Sequence, residues 1–180
     1  MKKIIFILLL LTLIVGCSSN NIIVDEEVSE EVVGDEQMEY EAEVLVETNQ
    51  GSFTISLYKD TPITTANFLK LVREGFYDGL TFHRYEPGFV IQGGDPNGDG
   101  TGGSDDTIKL EVIGLEHSKG TVGMARSSEP DSASSQFFVN LVDNNFLDDG
   151  YAVFGDVTEG MAVAEKLRVG DTMTKVTVQE

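Results

Sequence analysis

The chain of 180 residues has one cysteine, Cys17. That excludes an internal disulfide and a zinc site built on a cysteine cluster. Basic residues are also scarce, 12 against 31 acidic ones, for a formal net charge of -19. Such a surface repels phosphate backbones and anionic headgroups, so nucleic acid is not an expected partner. Only two histidines are present, His83 and His117, 34 positions apart. A histidine metal pair or a Ser–His nucleophile therefore has little support, and Ser134 and Ser135 read as turn residues. Proline is rare (4) and glycine frequent (19), which suits many short strands and turns better than a disordered chain. The length fits one domain plus a short extra segment.

Met1 to Cys17 reads MKKIIFILLLLTLIVGC: two lysines, an apolar run, and a small residue before the cysteine. This is the pattern of a secretory signal, and the run is shorter than the roughly 20 residues a membrane-spanning helix needs. Ile14-Val15-Gly16-Cys17 resembles the lipobox of bacterial-type lipoproteins, which implies cleavage after residue 16 and a lipid on Cys17. Residues 17–42 then read as the lipidated cysteine and an acidic tether, with a short amphipathic helix at Val28 to Met38 as the weaker alternative. The expected location is extracytoplasmic, anchored in the membrane by the acyl chains.

Residues 43–180 carry the apolar patterning of one domain. Glu43 to Glu47 and Ser52 to Tyr58 alternate around Asn49-Gln50-Gly51, predicting a hairpin whose inner face carries Val44, Val46, Phe53, Ile55 and Leu57. Pro62 opens a helix to about Glu74, with Thr61 at the N-cap, Ala66, Phe68, Leu69 and Val72 on one face, and Gly75 just beyond. Further strands are expected at Thr81–Tyr85, Phe89–Gln92, Thr121–Ala125, Gln136–Leu141, Ala152–Val157 and Lys175–Gln179, with a second helix at Met161–Arg168. Many short strands with two helices predict a mainly β fold, a closed antiparallel barrel with helical caps, because closure removes exposed edges.

Phe82 to Asp95 reads FHRYEPGFVIQGGD, followed by GDGTGG at 98–103, GMARSSEPDSASSQFF at 123–138 and FLDDGYAVFG at 146–155. Together these segments resemble the cyclophilin family of peptidyl-prolyl cis/trans isomerases, over the whole of the domain. The resemblance implies an eight-stranded barrel and turnover of X-Pro bonds without a cofactor. Arg84 stands at the catalytic arginine, whose guanidinium steadies the imide as its conjugation is lost. Phe89, Val90, Phe138 and Leu147 match the walls of the proline pocket, and Gln92 and Gln136 match polar residues lining it. Ala125 and Arg126 match the stretch whose backbone pairs with substrate, although the family often has asparagine where Arg126 stands. Gly102 and Gly103 are expected to let a loop approach the peptide. Tyr151 replaces a frequent histidine and Phe146 a frequent tryptophan, so cyclosporin binding is expected to be weak for want of the indole N–H.

The expected partners are proline-containing segments of exported proteins, and the expected state is a monomer. A module of the same fold that holds proline peptides without turning them over is the alternative. Asp95 to Asp106 also spaces Asp95, Asn97, Asp99, Gly100 and Asp106 like a calcium loop. No helix precedes it and its last position is not the usual glutamate, so no metal is expected.

Overall fold

The computed structural model of the chain describes residues 39–179. The signal segment, Cys17 and most of the expected tether lie outside them. Within the described residues run β1 (Tyr40–Thr48), β2 (Gly51–Tyr58), α1 (Pro62–Arg73), β3 (Phe82–Tyr85), β4 (Val90–Gly93), β5 (Thr121–Met124), β6 (Phe137–Asn140), β7 (Val153–Glu159), α2 (Met161–Ala164) and β8 (Met173–Gln179). All strand pairings are antiparallel, in the order β3-β4-β6-β5-β7-β2-β1-β8.

The hairpin forms as its alternation requires: Val44, Val46, Phe53, Ile55 and Leu57 are all buried, and Thr48 pairs with Gly51 across Asn49 and Gln50. β1 opens at Tyr40, inside the stretch expected to be tether, because Tyr40 stacks on Tyr58 with ring centroids 5.8 Å apart and donates to Asp156. In α1 the buried stripe is Thr64, Thr65, Phe68, Leu69, Leu71 and Val72. Ala66, expected on that stripe, is exposed. Thr61 occupies the N-cap but makes no capping bond with its side chain. The cap comes from far along the chain instead: Glu111 accepts the amides of Ile63 (3.1 Å) and Thr64 (2.7 Å). A carboxylate there satisfies two otherwise orphaned donors and faces the positive end of the helix dipole.

Two further expectations are corrected. The second helix stops at Ala164, short of Arg168, because the Asp171 carboxylate takes the Arg168 amide at 2.7 Å and turns the chain toward β8. The sheet curls, but its ladder does not close into a barrel. Its edge strands, β3 and β8, meet at one isolated bridge, Thr81↔Thr172, and a few backbone bonds such as Phe82 N–H to Asp171 O at 2.8 Å. Beyond that corner the Asp78 carboxylate takes the place of a ladder partner, accepting the Val176 amide at 3.0 Å and pairing with Lys175 at 2.6 Å. A side chain blunts this edge where a ninth neighbour or closure otherwise would. Lys175 and the Val176 amide hold the Asp78 carboxyl below its ordinary value, outweighing a partial desolvation.

One face of the curled sheet holds the core. Phe68 lies at its centre, with ring centroids 5.0 Å from Tyr77, 5.4 Å from Phe137 and 5.2 Å from Phe154. Tyr77 is fully buried, and its hydroxyl is satisfied by Ser135 O at 3.0 Å.

Candidate active site

Successive residues of a strand face opposite sides of a sheet. In β4, β5 and β6 the core takes Ile91, Val122, Met124, Phe137 and Val139. The residues between them must face outward. Register aligns these outward residues into one row: Arg84 opposite Gln92, Gln92 opposite Phe138, and Phe138 opposite Gly123. The candidate site is built on this row, on the side of the sheet away from the main core. Val90 and Phe138 are nonetheless buried, at 1% and 5% exposure, so something else covers them.

The cover is a set of loops. Pro87-Gly88 makes a tight turn in which the Phe89 amide closes on Glu86 O at 3.0 Å, with Gly88 at φ 70°, a value glycine adopts without strain. This turn carries Phe89 to one side of the row. On the other, the 3-10 turn Asn145–Leu147 carries Leu147, and Tyr151 follows it. Arg84, Phe89, Val90 and Gln92 thus face Leu147 and Tyr151 across Phe138, with Ala125 and Arg126 at the end of β5. They enclose a pocket of ≈ 140 Å³. Phe146 stands outside it, 76% exposed and stacked on Phe89 with centroids 5.6 Å apart. Gln136 and Gly102 border a second cavity of ≈ 380 Å³.

Arg84 is oriented from several sides. Its Nη1 donates to Gln92 Oε1 at 3.3 Å, its Nε lies 3.7 Å from Glu86, and its guanidinium lies 5.5 Å from the Phe89 ring centroid. The chain of amides continues: Gln92 Nε2 donates to Gln136 Oε1 at 2.8 Å, and Gln136 Nε2 to Gly102 O at 2.7 Å. The arginine is thereby tied to the glycine-rich loop. Ala125 has its amide turned to Gln136 O at 2.9 Å, so its carbonyl is the backbone group left for a ligand. At Gly102 the close approach is to the loop itself, since a Cβ there would lie 2.2 Å from Asp95 Oδ1. At Gly103 it would lie 2.3 Å from Ser134 Oγ.

The donor set of the calcium-like loop is spent within the protein. Asp95 is 1% exposed and accepts the amides of Asn97 (2.8 Å), Asp99 (3.0 Å) and Gly100. Burial alone would raise its pKa, but together these amides hold it below the usual carboxylate value. Asp106 pairs with Lys70 at 3.0 Å. Among the described residues no cluster of three histidine, cysteine or acidic side chains is placed to hold a metal ion.

Sequence reasoning missed the support beneath the pocket. His117 is fully buried, and its ring lies parallel to that of Phe138, 5.8 Å away and inclined by 15°. Asp148, 31 residues on, accepts both the His117 amide (2.7 Å) and ring Nδ1 (3.0 Å). The clip ties the loop bearing Leu147 and Tyr151 to the floor under Phe138. Gly123 was also missed as a site residue, although a glycine inside a strand pattern signals a close approach.

Burial pushes the His117 pKa below 6.5, with Asp148 opposing in part, and burial likewise lowers that of His83. As pH falls below about 6.5 the unfolded chain therefore binds protons before the folded one, and stability declines on acidification. Each histidine adds at most about 1.4 kcal/mol per pH unit to this slope. Urea unfolding at about pH 7, 6 and 5 should show the decline, and His117→Asn should flatten it, leaving the parts due to His83 and to carboxylates such as Asp78 and Asp95 that are held below their ordinary values. An unchanged slope in the variant would show that His117 does not titrate differently on folding.

A pocket walled by Phe89, Val90, Phe138 and Leu147 beside an oriented guanidinium, on a curled eight-stranded antiparallel sheet, defines a fold and site that known proteins share. The family model described as "Cyclophilin type peptidyl-prolyl cis-trans isomerase/CLD" matches residues 43–180. The chain belongs to this family. A peptidyl-prolyl cis-trans isomerase of Helicobacter pylori is 42% identical over 149 residues, covering 80% of this chain and 91% of the relative. Isomerase B of Bacillus subtilis is 48% identical over 120 residues, covering 66% and 83%. A crystal structure of a cyclophilin-type isomerase of Cryptosporidium parvum, in the presence of the dipeptide Ala-Pro, superposes with a TM-score of 0.72 at 28% identity, covering 77% of this chain and 99% of that one. The protein is a peptidyl-prolyl cis-trans isomerase.

Proposed function

We propose that this isomerase acts outside the cytoplasm, as a monomer held to the membrane by a lipid on Cys17, on X-Pro bonds of exported proteins, with Arg84 as its catalytic cation. The observation that carries the chemistry is the oriented Arg84 guanidinium at a pocket of ≈ 140 Å³ with Phe89, Val90, Phe138 and Leu147 in its wall. Such a pocket suits a pyrrolidine ring, and an Ala-Pro dipeptide is a fitting minimal ligand. Phe89, Val90, Phe138 and Leu147 would grip the ring while the rest of the peptide turns.

Rotation about the imide crosses a barrier of about 20 kcal/mol because the C–N bond has partial double-bond character. In the twisted state the conjugation is lost, and the imide nitrogen, its lone pair no longer shared with the carbonyl, becomes a better acceptor. A donor placed against that nitrogen stabilises the twisted state more than either planar isomer, which is what lowers a barrier. Gln92, Glu86 and the Phe89 face hold the Arg84 fork before the peptide arrives, so little ordering remains to be done. No proton needs to move.

The N-terminal segment supports the location: two lysines, a short apolar run, and Val15-Gly16-Cys17. Cys17→Ser in the full-length protein, expressed in a bacterium that processes lipoproteins, should abolish incorporation of labelled fatty acid and leave the precursor uncleaved, since in this reading the cysteine is both the acylated residue and the cleavage site. A variant that is still processed and stays with the membrane in high salt would rule out the lipid on Cys17.

A further inference from the structure

The chain has 31 acidic residues, and among the described residues five cations lie against one, Arg84 of the site included. Arg84 lies 3.7 Å from Glu86, Lys119 is paired with Glu165 at 2.6 Å, and Lys70 with Asp106 at 3.0 Å. Arg126 is different. Among the described residues its hydrogen-bond partners are backbone carbonyls: Nε donates to Gly150 O at 2.8 Å, and Nη1 to Ser127 O at 2.9 Å. The guanidinium carbon lies 4.8 Å from the Tyr151 ring centroid. Carbonyls and an aromatic face fix the orientation of the charge without neutralising it, and Nη2 has no hydrogen-bond partner among the described residues.

Arg126 also stands on the ridge between the two cavities and lines both. The second, of ≈ 380 Å³, is otherwise walled by glycines, an alanine, serines, a threonine and the glutamines 92 and 136. Arg126 is its one charged side chain. In the first pocket the charged lining is Arg84 and Arg126, so neither cavity has a carboxylate in its wall. On a protein of formal charge -19, these adjoining cavities with only cationic charge in their walls mark a place prepared for an anion.

From this we infer that Arg126 makes the isomerase selective for prolines flanked by an acidic residue, whose carboxylate enters the second cavity and takes the free edge of the Arg126 guanidinium. The inference rests on the reading of the first pocket as the proline site, and names the substrate class that site prefers. A carboxylate there would gain a charge-assisted bond to a donor already held in place. A glutamine would gain a weaker one, and a lysine would meet a like charge.

Exchange NMR reads the isomerisation directly, without a coupling protease, on short peptides bearing Glu, Gln or Lys at either of the two positions on each side of proline. At one of these positions kcat/KM should rank Glu over Gln by roughly threefold and over Lys by roughly tenfold, the size of a solvent-accessible ion pair and its reversal. Arg126→Gln should bring all three within about twofold, whatever it does to turnover of the neutral peptide, while Arg126→Lys should restore part of the ranking. If the variant does not fold, the wild type decides: its Glu-to-Lys ratio should shrink as salt rises from about 0.05 to 0.5 M. A ranking that survives Arg126→Gln belongs to another cation and overturns the inference, as does a ranking absent from the wild type or indifferent to salt. Failure of the wild type to turn over any peptide is a separate result, which would fell the reading of the proline site and the inference with it.

Discussion

Replacing Arg84 by alanine is expected to lower kcat/KM on a proline peptide at least tenfold while leaving the circular dichroism spectrum unchanged. Arg84 is a rim residue, with 45% of its side chain exposed, so its loss opens no core cavity. Gln92 loses one donor at 3.3 Å but keeps its shorter bond to Gln136, so the amide chain beneath stays anchored. What disappears is a charged hydrogen bond, worth about 1.5–3 kcal/mol, made best in the twisted state. Since about 1.4 kcal/mol is a factor of ten, the loss lies between roughly tenfold and a hundredfold or somewhat more. It should appear mainly in kcat, because planar isomers gain little from the guanidinium. Arg84→Lys keeps a charge but not the fork that spans Gln92 and Glu86, and should fall between the two. A folded alanine variant with wild-type turnover would remove Arg84 from the mechanism.

Much of this site was legible in the sequence, for a physical reason. Short motifs carry the residues that touch a ligand, and FHR, PGF and QGGD place Arg84, Phe89 and Gln92 within one hairpin of each other. The nine residues around the pocket were all in the expected set. What the motifs do not contain is register. That Arg84, Gln92, Phe138 and Gly123 form one row depends on three strand pairings, of which the one that sets Phe138 beside Gln92 joins strands far apart in the chain. Read alone, Val90 and Phe138 are ordinary core residues; only the pairing shows that they are buried on the opposite face. Long-range polar contacts were likewise invisible. The cap on α1 comes from Glu111, 47 residues from Thr64, and the His117–Asp148 clip spans 31. Neither leaves a local pattern. Closure was misjudged for the same kind of reason: counting strands shows how many edges exist, not that a side chain such as Asp78 will cover one.

Gly123→Ala should damage the site from beneath, by displacing Phe138 while leaving every lining side chain chemically unchanged. A Cβ at Gly123 would lie 2.2 Å from Phe138 Cζ and 2.6 Å from Cε2, far inside contact distance, so one of the two must move. Gly123 is fixed by pairing with Phe138 on one side and Val153 on the other, in the middle of the sheet. The ring must therefore give way. His117 lies parallel to it and is held by two bonds to Asp148, while Tyr151 meets it edge-on at 6.0 Å. The direction that remains is the pocket itself, and a space of ≈ 140 Å³ cannot admit both a displaced phenyl ring and a proline. Overpacking of this kind costs about 1–3 kcal/mol of stability, within the reserve of an ordinary domain. Urea unfolding should show that decrement, and exchange NMR on the still-folded variant should show kcat/KM lower by at least about tenfold, most of it in KM because the ground-state site is filled. Trimming the ring as well, in Gly123→Ala with Phe138→Leu, should recover part of the stability lost, since the two changes meet at one contact and cannot add. If Gly123→Ala alone keeps both wild-type stability and wild-type turnover, Phe138 has another way to move and the floor of the pocket is softer than this packing requires.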